Sequence, residues 1–203
     1  MTKVKLCGLM TLADVAVINA ARPDFAGFVF AAGRHQVTLA QAQQLRAALA
    51  PAIVSVGVFV NAPLEAMLAA VASGAVTMIQ LHGHASAVTV AALHRHRIPV
   101  IQVVQGAPTA WPVTQVTYLM ADAGAGSGRT LPWAQLPPAP KPLFLAGGLT
   151  PRNVQQAIQV VHPFAVDVSS GIETAAGKNA ELTAAFMAQV RAATHPIEKG
   201  PSL

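Results

Sequence analysis

Cys7 is the single cysteine of the chain, and it stands where an apolar run, residues 4–6, meets a glycine and a helix-start signal. Lys5 lies two residues earlier, so on a strand both side chains share a face. An ammonium beside a thiol lowers the thiol's pKa and favours the thiolate, the form that can take up a proton. Asp122 occupies the matching place further on, after apolar residues 118–121 and before Ala123-Gly124-Ala125-Gly126-Ser127-Gly128-Arg129. A carboxyl partly removed from water there can hold a proton and deliver it as a general acid. Each residue also has a plainer explanation. A cysteine in an apolar run is more often inert packing, and an aspartate before glycine often only closes a turn. Position in the fold must decide.

The elements that would position these groups are legible. Strand-like runs rich in valine, isoleucine and phenylalanine occur near residues 3–7, 26–30, 53–60, 76–80, 98–104, 116–121, 142–146 and 164–168. Alanine-rich stretches with helical spacing separate most of them, as at 41–49, 64–71 and 154–160. Thr11-Leu12-Ala13-Asp14 reads as a capping box, and Pro63 and Pro151 suit the first turn of their helices. Alternating strands and helices imply a parallel sheet with right-handed crossovers. Eight units predict an α/β protein with a single (β/α)8 barrel over residues 1–194, with 195–203 a flexible polar tail. The barrel is a small one. Pro108 and Pro112 abbreviate the fifth helix, and Pro132, Pro137 and Pro138 cut the sixth near residues 133–136. An open doubly wound sheet is the alternative, but no G-x-G-x-x-G follows the first strand.

In such a barrel the strand ends converge on one face, so Cys7 and Asp122 would meet there. The same face receives Gly147-Gly148 after the seventh strand and Ser169-Ser170-Gly171 after the eighth. Those two loops commonly hold a phosphate on backbone N–H groups, with Ser170 able to add a hydroxyl. Two ordinary turns are the competing explanation. The loop at 123–129 lacks the ending of a P-loop. His82 and His84, like His94 and His96, are two apart without thiolates nearby, so solvated or capping roles outweigh a metal site. His82 by itself, at a strand end, is a candidate to line the pocket. Asp167 should point into the barrel and pair with Lys5.

Composition excludes several classes. The chain of 203 residues is 53% hydrophobic and 10% charged, with a mean hydropathy of +0.49. Its apolar runs stop after about four to eight residues, well short of the ~18–20 a spanning helix requires. The start, Met1-Thr2-Lys3-Val4-Lys5, has no signal-peptide apolar region, and one cysteine forms no internal disulfide. The expected location is the cytoplasm. The formal charge of +5 is spread thinly except at His94-Arg95-His96-Arg97, with no basic stripe interleaved with aromatics, so nucleic acid is not an expected partner. A mild positive balance is compatible with a phosphorylated or carboxylated small molecule.

Taken in order, these motifs resemble the phosphoribosylanthranilate isomerase family of tryptophan biosynthesis. The matching pieces are Lys5-Leu6-Cys7-Gly8-Leu9, Gly27-Phe28-Val29-Phe30, Val56-Gly57-Val58-Phe59-Val60-Asn61 and Gln80-Leu81-His82-Gly83. Further pieces are Asp122, Gly126-Ser127-Gly128-Arg129-Thr130 with Trp133, Leu145-Ala146-Gly147-Gly148-Leu149 and Asp167-Val168-Ser169-Ser170-Gly171-Ile172-Glu173. The resemblance implies an Amadori rearrangement of N-(5′-phosphoribosyl)anthranilate without cofactor or metal. It implies Asp122 as general acid on the furanose oxygen and Cys7 as general base at C2′. Gly147, Gly148, Ser170 and Gly171 match the phosphate region, and His82, Gly126 and Gly128 the substrate-binding strand ends and loop. The second loop, Ala31-Ala32-Gly33-Arg34-His35-Gln36-Val37-Thr38, is shorter than the family's form. Aligned backward from Val37-Thr38, His35 falls on the family's arginine. A one-residue slip puts Arg34 there, and Arg34 is favoured because a guanidinium can hold a carboxylate bidentately.

Two other readings remain. A phosphoribosyl isomerase of histidine biosynthesis shares the barrel, but that family places an aspartate where Cys7 stands. An idle barrel that only binds a sugar phosphate or a protein would more readily have lost Cys7 or Asp122. Exposed apolar helix surface is compatible with a homodimer as well as a monomer.

Overall fold

Strands that are apolar on both faces must pair along their edges and be covered on both sides. The structure, a computed structural model, describes residues 1–83, 86–124 and 129–194. His84, Gly126, Gly128 and the 195–203 tail lie outside the described residues. The eight runs form β1 (Lys3–Cys7), β2 (Phe25–Val29), β3 (Val54–Val60), β4 (Met78–His82), β5 (Val100–Gln105), β6 (Tyr118–Asp122), β7 (Leu143–Leu145) and β8 (Ala165–Val168). Neighbours pair in parallel, and β1 pairs with both β2 and β8, which closes the barrel. Lys5 sits in register with Asp167 across that closing seam.

Alternation along each strand divides the core into two layers. Inward-facing Phe25, Val56, Met78, Ile101, Met120, Phe144 and Ala165 fill the barrel. Phe25 and Tyr118 meet Phe144 edge-on, with centroids 5.3 and 5.4 Å away, and these rings fill the interior near the strands' N-terminal ends. Outward-facing Val4, Leu6, Phe28, Ile79, Leu119, Leu145 and Val166 pack under the helices.

Helices α1 (Leu12–Ala21), α2 (Leu39–Ala48), α3 (Leu64–Ala72) and α4 (Ala87–Arg95) follow the first four strands, while α5 (Val154–Val161) and α6 (Ala180–Thr194) follow β7 and β8. Residues 106–117 form no helix, and a single 3-10 turn at Trp133–Gln135 stands in the sixth position among the described residues. Trp111 and Trp133 pack against the outer core on this helix-poor side, and the Trp111 indole donates to the Pro137 carbonyl at 3.0 Å. Bulky rings thus cover apolar surface that proline denies to helices.

The capping box forms as expected: Thr11 Oγ1 accepts from Asp14 N at 3.1 Å, and Asp14 Oδ2 accepts from Thr11 N at 3.0 Å. The two prolines differ from expectation. Pro63 is the extended cap before α3, with ψ 151°, not a residue of its first turn. Pro151 lies in a turn before α5. There Asn153 Oδ1 accepts from Thr150 N at 2.8 Å, so the helix starts only at Val154.

Candidate active site

The strand ends named by the sequence lie at one mouth of the barrel, where a cavity of about 530 Å³ opens; Cys7, at the end of β1, stays buried and does not line it. Arg34, Asp122, Gly147, Gly148 and Ser170 line it, together with His35 and Asp167. The acid candidate, the arginine candidate and both loops expected to hold phosphate are therefore brought together. Gly171 does not line the cavity. It lets the two loops interlock: a Cβ there would stand 2.0 Å from the Leu149 carbonyl oxygen, a distance no side chain tolerates. Asn153 Nδ2 donates to the Gly148 carbonyl at 2.9 Å and pins the seventh loop from behind.

Asp122 ends β6 half-buried, and its Oδ1 accepts the Gly124 N–H at 3.1 Å. The turn-forming explanation is thus true and sits alongside the other, because the same residue borders the cavity. Cys7 lies at the end of β1, only 8% exposed. Gly27 on β2 is its register partner, and a Cβ added there would stand 2.5 Å from Cys7 Sγ. Only a glycine leaves the sulfur its room.

Beneath the mouth, the expected pair is present: Lys5 Nζ donates to Asp167 Oδ1 at 2.9 Å, with the lysine side chain wholly buried. Burial works against the Lys5 ammonium, but the Asp167 carboxylate beside it holds the lysine charged, above its ordinary range. One expectation is corrected. Burial pushes the Cys7 thiol up, and Lys5 opposes this without reversing it. The reason is that removal from water costs the thiolate more than Lys5 returns, and the Asp167 carboxylate adds to that cost. Cys7 is a thiol at rest.

His82 does not border the large cavity. It faces a small recess with Phe59, Asn61 and Thr89, its Nε2 lying 2.8 Å from Gln105 Nε2. Among the described residues no group of three or more His, Cys, Asp or Glu is placed to hold a metal ion. No helix among them is long and apolar enough to cross a membrane.

Sequence reasoning missed a second polar cluster beside the cavity. After β8 the chain makes a small hairpin, β9 (Glu173–Thr174) with β10 (Gly177–Lys178). Glu173 receives Arg34 Nη2 and Lys178 Nζ, His35 Nε2 at 2.9 Å, and the Ser169 hydroxyl at 3.2 Å. Partial burial would raise its carboxyl, but the His35 and Lys178 contacts bring it down to about 2. Arg34 and His35, posed as alternatives by the sequence, thus share one carboxylate. Asp14, beyond capping α1, accepts the Lys178 backbone N–H at 2.9 Å and the Met10 N–H at 3.0 Å. Arg34, His35, Ser169, Glu173 and Asp14 each belong to a sequence motif; Lys178 alone gave no signal.

A closed barrel with an acid, a buried thiol and two glycine loops at one mouth defines the class: a (β/α)8-barrel enzyme. The family is more specific. A model of N-(5′-phosphoribosyl)anthranilate (PRA) isomerase matches residues 4–189, and the chain belongs to that family. An N-(5′-phosphoribosyl)anthranilate isomerase of Lacticaseibacillus casei (strain BL23) is 46% identical over 192 residues, covering 94% of this chain and 96% of that one. The crystal structure of the phosphoribosyl anthranilate isomerase from Thermus thermophilus superposes with a TM-score of 0.86 at 31% identity, over 94% of this chain and 99% of that one. Another phosphoribosyl anthranilate isomerase, crystallised with reduced 1-(o-carboxyphenylamino)-1-deoxyribulose 5-phosphate, superposes at 0.79 with 28% identity over the same shares.

Proposed function

We propose that this cavity isomerises N-(5′-phosphoribosyl)anthranilate to 1-(2-carboxyphenylamino)-1-deoxyribulose 5-phosphate in tryptophan biosynthesis, with Asp122 as general acid and Cys7 as general base. The observation that carries the reading is that Asp122 lines one cavity with residues 146–149 and 167–170, while Cys7 lies buried at the end of β1, the strand paired with β8. The loops take the 5′-phosphate on backbone N–H groups of Gly147, Gly148 and Ser170, which line the cavity, with Gly171 allowing the two loops to close on each other. Arg34 takes an anionic or oxygen group of the anthranilate end. Gly126 and Gly128 are assigned to substrate binding on their sequence motif, and His82 on its place at the end of β4.

With the substrate so held, Asp122 protonates the furanose ring oxygen as the C1′–O bond breaks and the nitrogen lone pair forms a Schiff base. Cys7 then removes the C2′ proton, the electrons collapse to an enolamine, and reprotonation at C1′ gives the ketone. The thiol must first lose its own proton, and its high pKa makes it a strong base once it has done so. The positive iminium at C1′ is what makes the C2′ proton acidic enough to be taken.

The residues assigned here all belong to one chain, and we expect monomer and homodimer to be equally active per site. Specific activity that changes with concentration in step with the light-scattering mass would contradict that. The cytoplasm, where the pathway's intermediates are made, is the location that suits the reading. The reaction itself is tested with freshly generated substrate, followed by loss of anthranilate-type fluorescence. Turnover is expected. No turnover by well-folded protein, with turnover of the histidine-pathway aminoimidazole substrate, would overturn it.

A further inference from the structure

Lys178 is out of place by ordinary rules. Its side chain is 1% exposed, on a two-stranded hairpin that is not part of the barrel. Burying an ammonium is costly unless it is paired and its protons are all received. Here Nζ donates to the Cys7 carbonyl oxygen and to Glu173 Oε1, and stands 3.4 Å from both the Ser169 carbonyl and hydroxyl oxygens. The backbone N–H of the same residue donates to Asp14 Oδ1. One lysine thus ties the end of β1, the loop after β8 and the start of α1 to a single point, with the reactive sulfur on the residue it grips.

The groups facing Cys7 are Lys5 from its own strand, Asp167 from β8 and Lys178 from the hairpin. Around them stand Glu173, His35 from the loop after β2 and Asp14 from α1. Asp167 engages Lys5 directly, so Lys178 is the second cation acting on the thiol.

We propose that Lys178 is a positioning residue for Cys7: seated on the Cys7 carbonyl and balanced by Glu173, it fixes the end of β1 and sets a second positive charge near the sulfur. The inference rests on Cys7 as the general base. It goes further in giving the hairpin a catalytic purpose and in making Glu173 the regulator of how much positive charge reaches the sulfur. Lys178 does not line the cavity and is not a catalytic residue.

Cys7 is the only cysteine, so the ultraviolet absorbance change that is lost in a Cys7→Ser counterpart reads its thiolate apart from Tyr118. Lys178→Met should move the Cys7 midpoint to higher pH and lower kcat by about tenfold to a hundredfold, with KM within about threefold. Glu173→Gln keeps the cation and removes its counter-charge, so the midpoint should move the other way, to lower pH. General loosening of the fold would shift both variants in the same direction. A shared direction, or an unchanged midpoint in Lys178→Met with wild-type kcat, overturns the proposal. If Lys178→Met does not fold, Glu173→Gln decides alone: a lower midpoint supports the proposal and an unchanged one rejects it. Wild-type kcat in Cys7→Ser would instead sink the base assignment, and that failure is separate because the thiol titration does not read turnover.

Discussion

Gly27 is the residue whose replacement tests the position of the sulfur most sharply. A Cβ on Gly27 would stand 2.5 Å from Cys7 Sγ and 3.2 Å from Cys7 Cα and Cβ, while ordinary contact begins near 3.4 Å. Gly27→Ala therefore forces the sulfur to move by roughly 0.9 Å, the difference between 3.4 and 2.5 Å. The two residues are paired across β1 and β2, so neither strand can step aside without breaking the ladder. A displacement near 1 Å at a reacting group costs about a hundredfold in rate, and overpacking a tight core costs about 1–3 kcal/mol of stability. The assay is kcat on fresh substrate, beside thermal unfolding and the affinity of a phosphorylated product analogue. We expect kcat to fall by about two orders of magnitude with analogue affinity nearly unchanged. Adding Cys7→Ala should restore part of the lost stability, because the offending atom is gone. A folded Gly27→Ala protein with wild-type kcat, or one that Cys7→Ala further destabilises, would refute the reasoning.

Three further outcomes are expected. Because burial raises the Cys7 thiol and the base works as thiolate, kcat/KM should climb with pH through neutrality toward the alkaline side; a plateau already reached in mild acid would contradict this. Asp167→Asn strands the wholly buried Lys5 and should cost about 3–5 kcal/mol in denaturant unfolding, and a loss near zero would show that the pair is not needed. Glu173 is held at about 2, below the ordinary 4.5, so its contribution to stability is complete above pH 4.5 and is lost as pH falls through about 2. The stability gap between wild type and Glu173→Gln should close over that window, and a gap independent of pH would count against the network.

The residues explain both what the sequence disclosed and what it withheld. Continuous runs of valine, isoleucine and phenylalanine predict strands within two residues of those observed, because a doubly covered parallel strand leaves little else for such runs to do. Proline placement predicts the abbreviated fifth and sixth helices for an equally local reason, and among the described residues only the turn at Trp133–Gln135 stands there. Alternation along β1 and β8 predicts the Lys5–Asp167 pair, since period two determines the face. It does not determine depth or partnership. The thiol therefore comes out raised where a nearby lysine alone suggests lowered, because burial outweighs the lysine and Asp167 adds to it. The Lys178 contact with Cys7 joins residues 171 apart through a hairpin too short for any period to reveal.

The central claim is a division of labour, with Asp122 opening the ring and Cys7 taking the C2′ proton. Its most direct test is turnover of substrate carrying deuterium at C2′ by wild type, Cys7→Ser and Asp122→Asn. The account predicts that Cys7→Ser, slowed at proton removal, shows a full primary isotope effect, while Asp122→Asn, slowed at ring opening, shows almost none. Equal isotope effects in the two variants, or wild-type turnover in either, would contradict it.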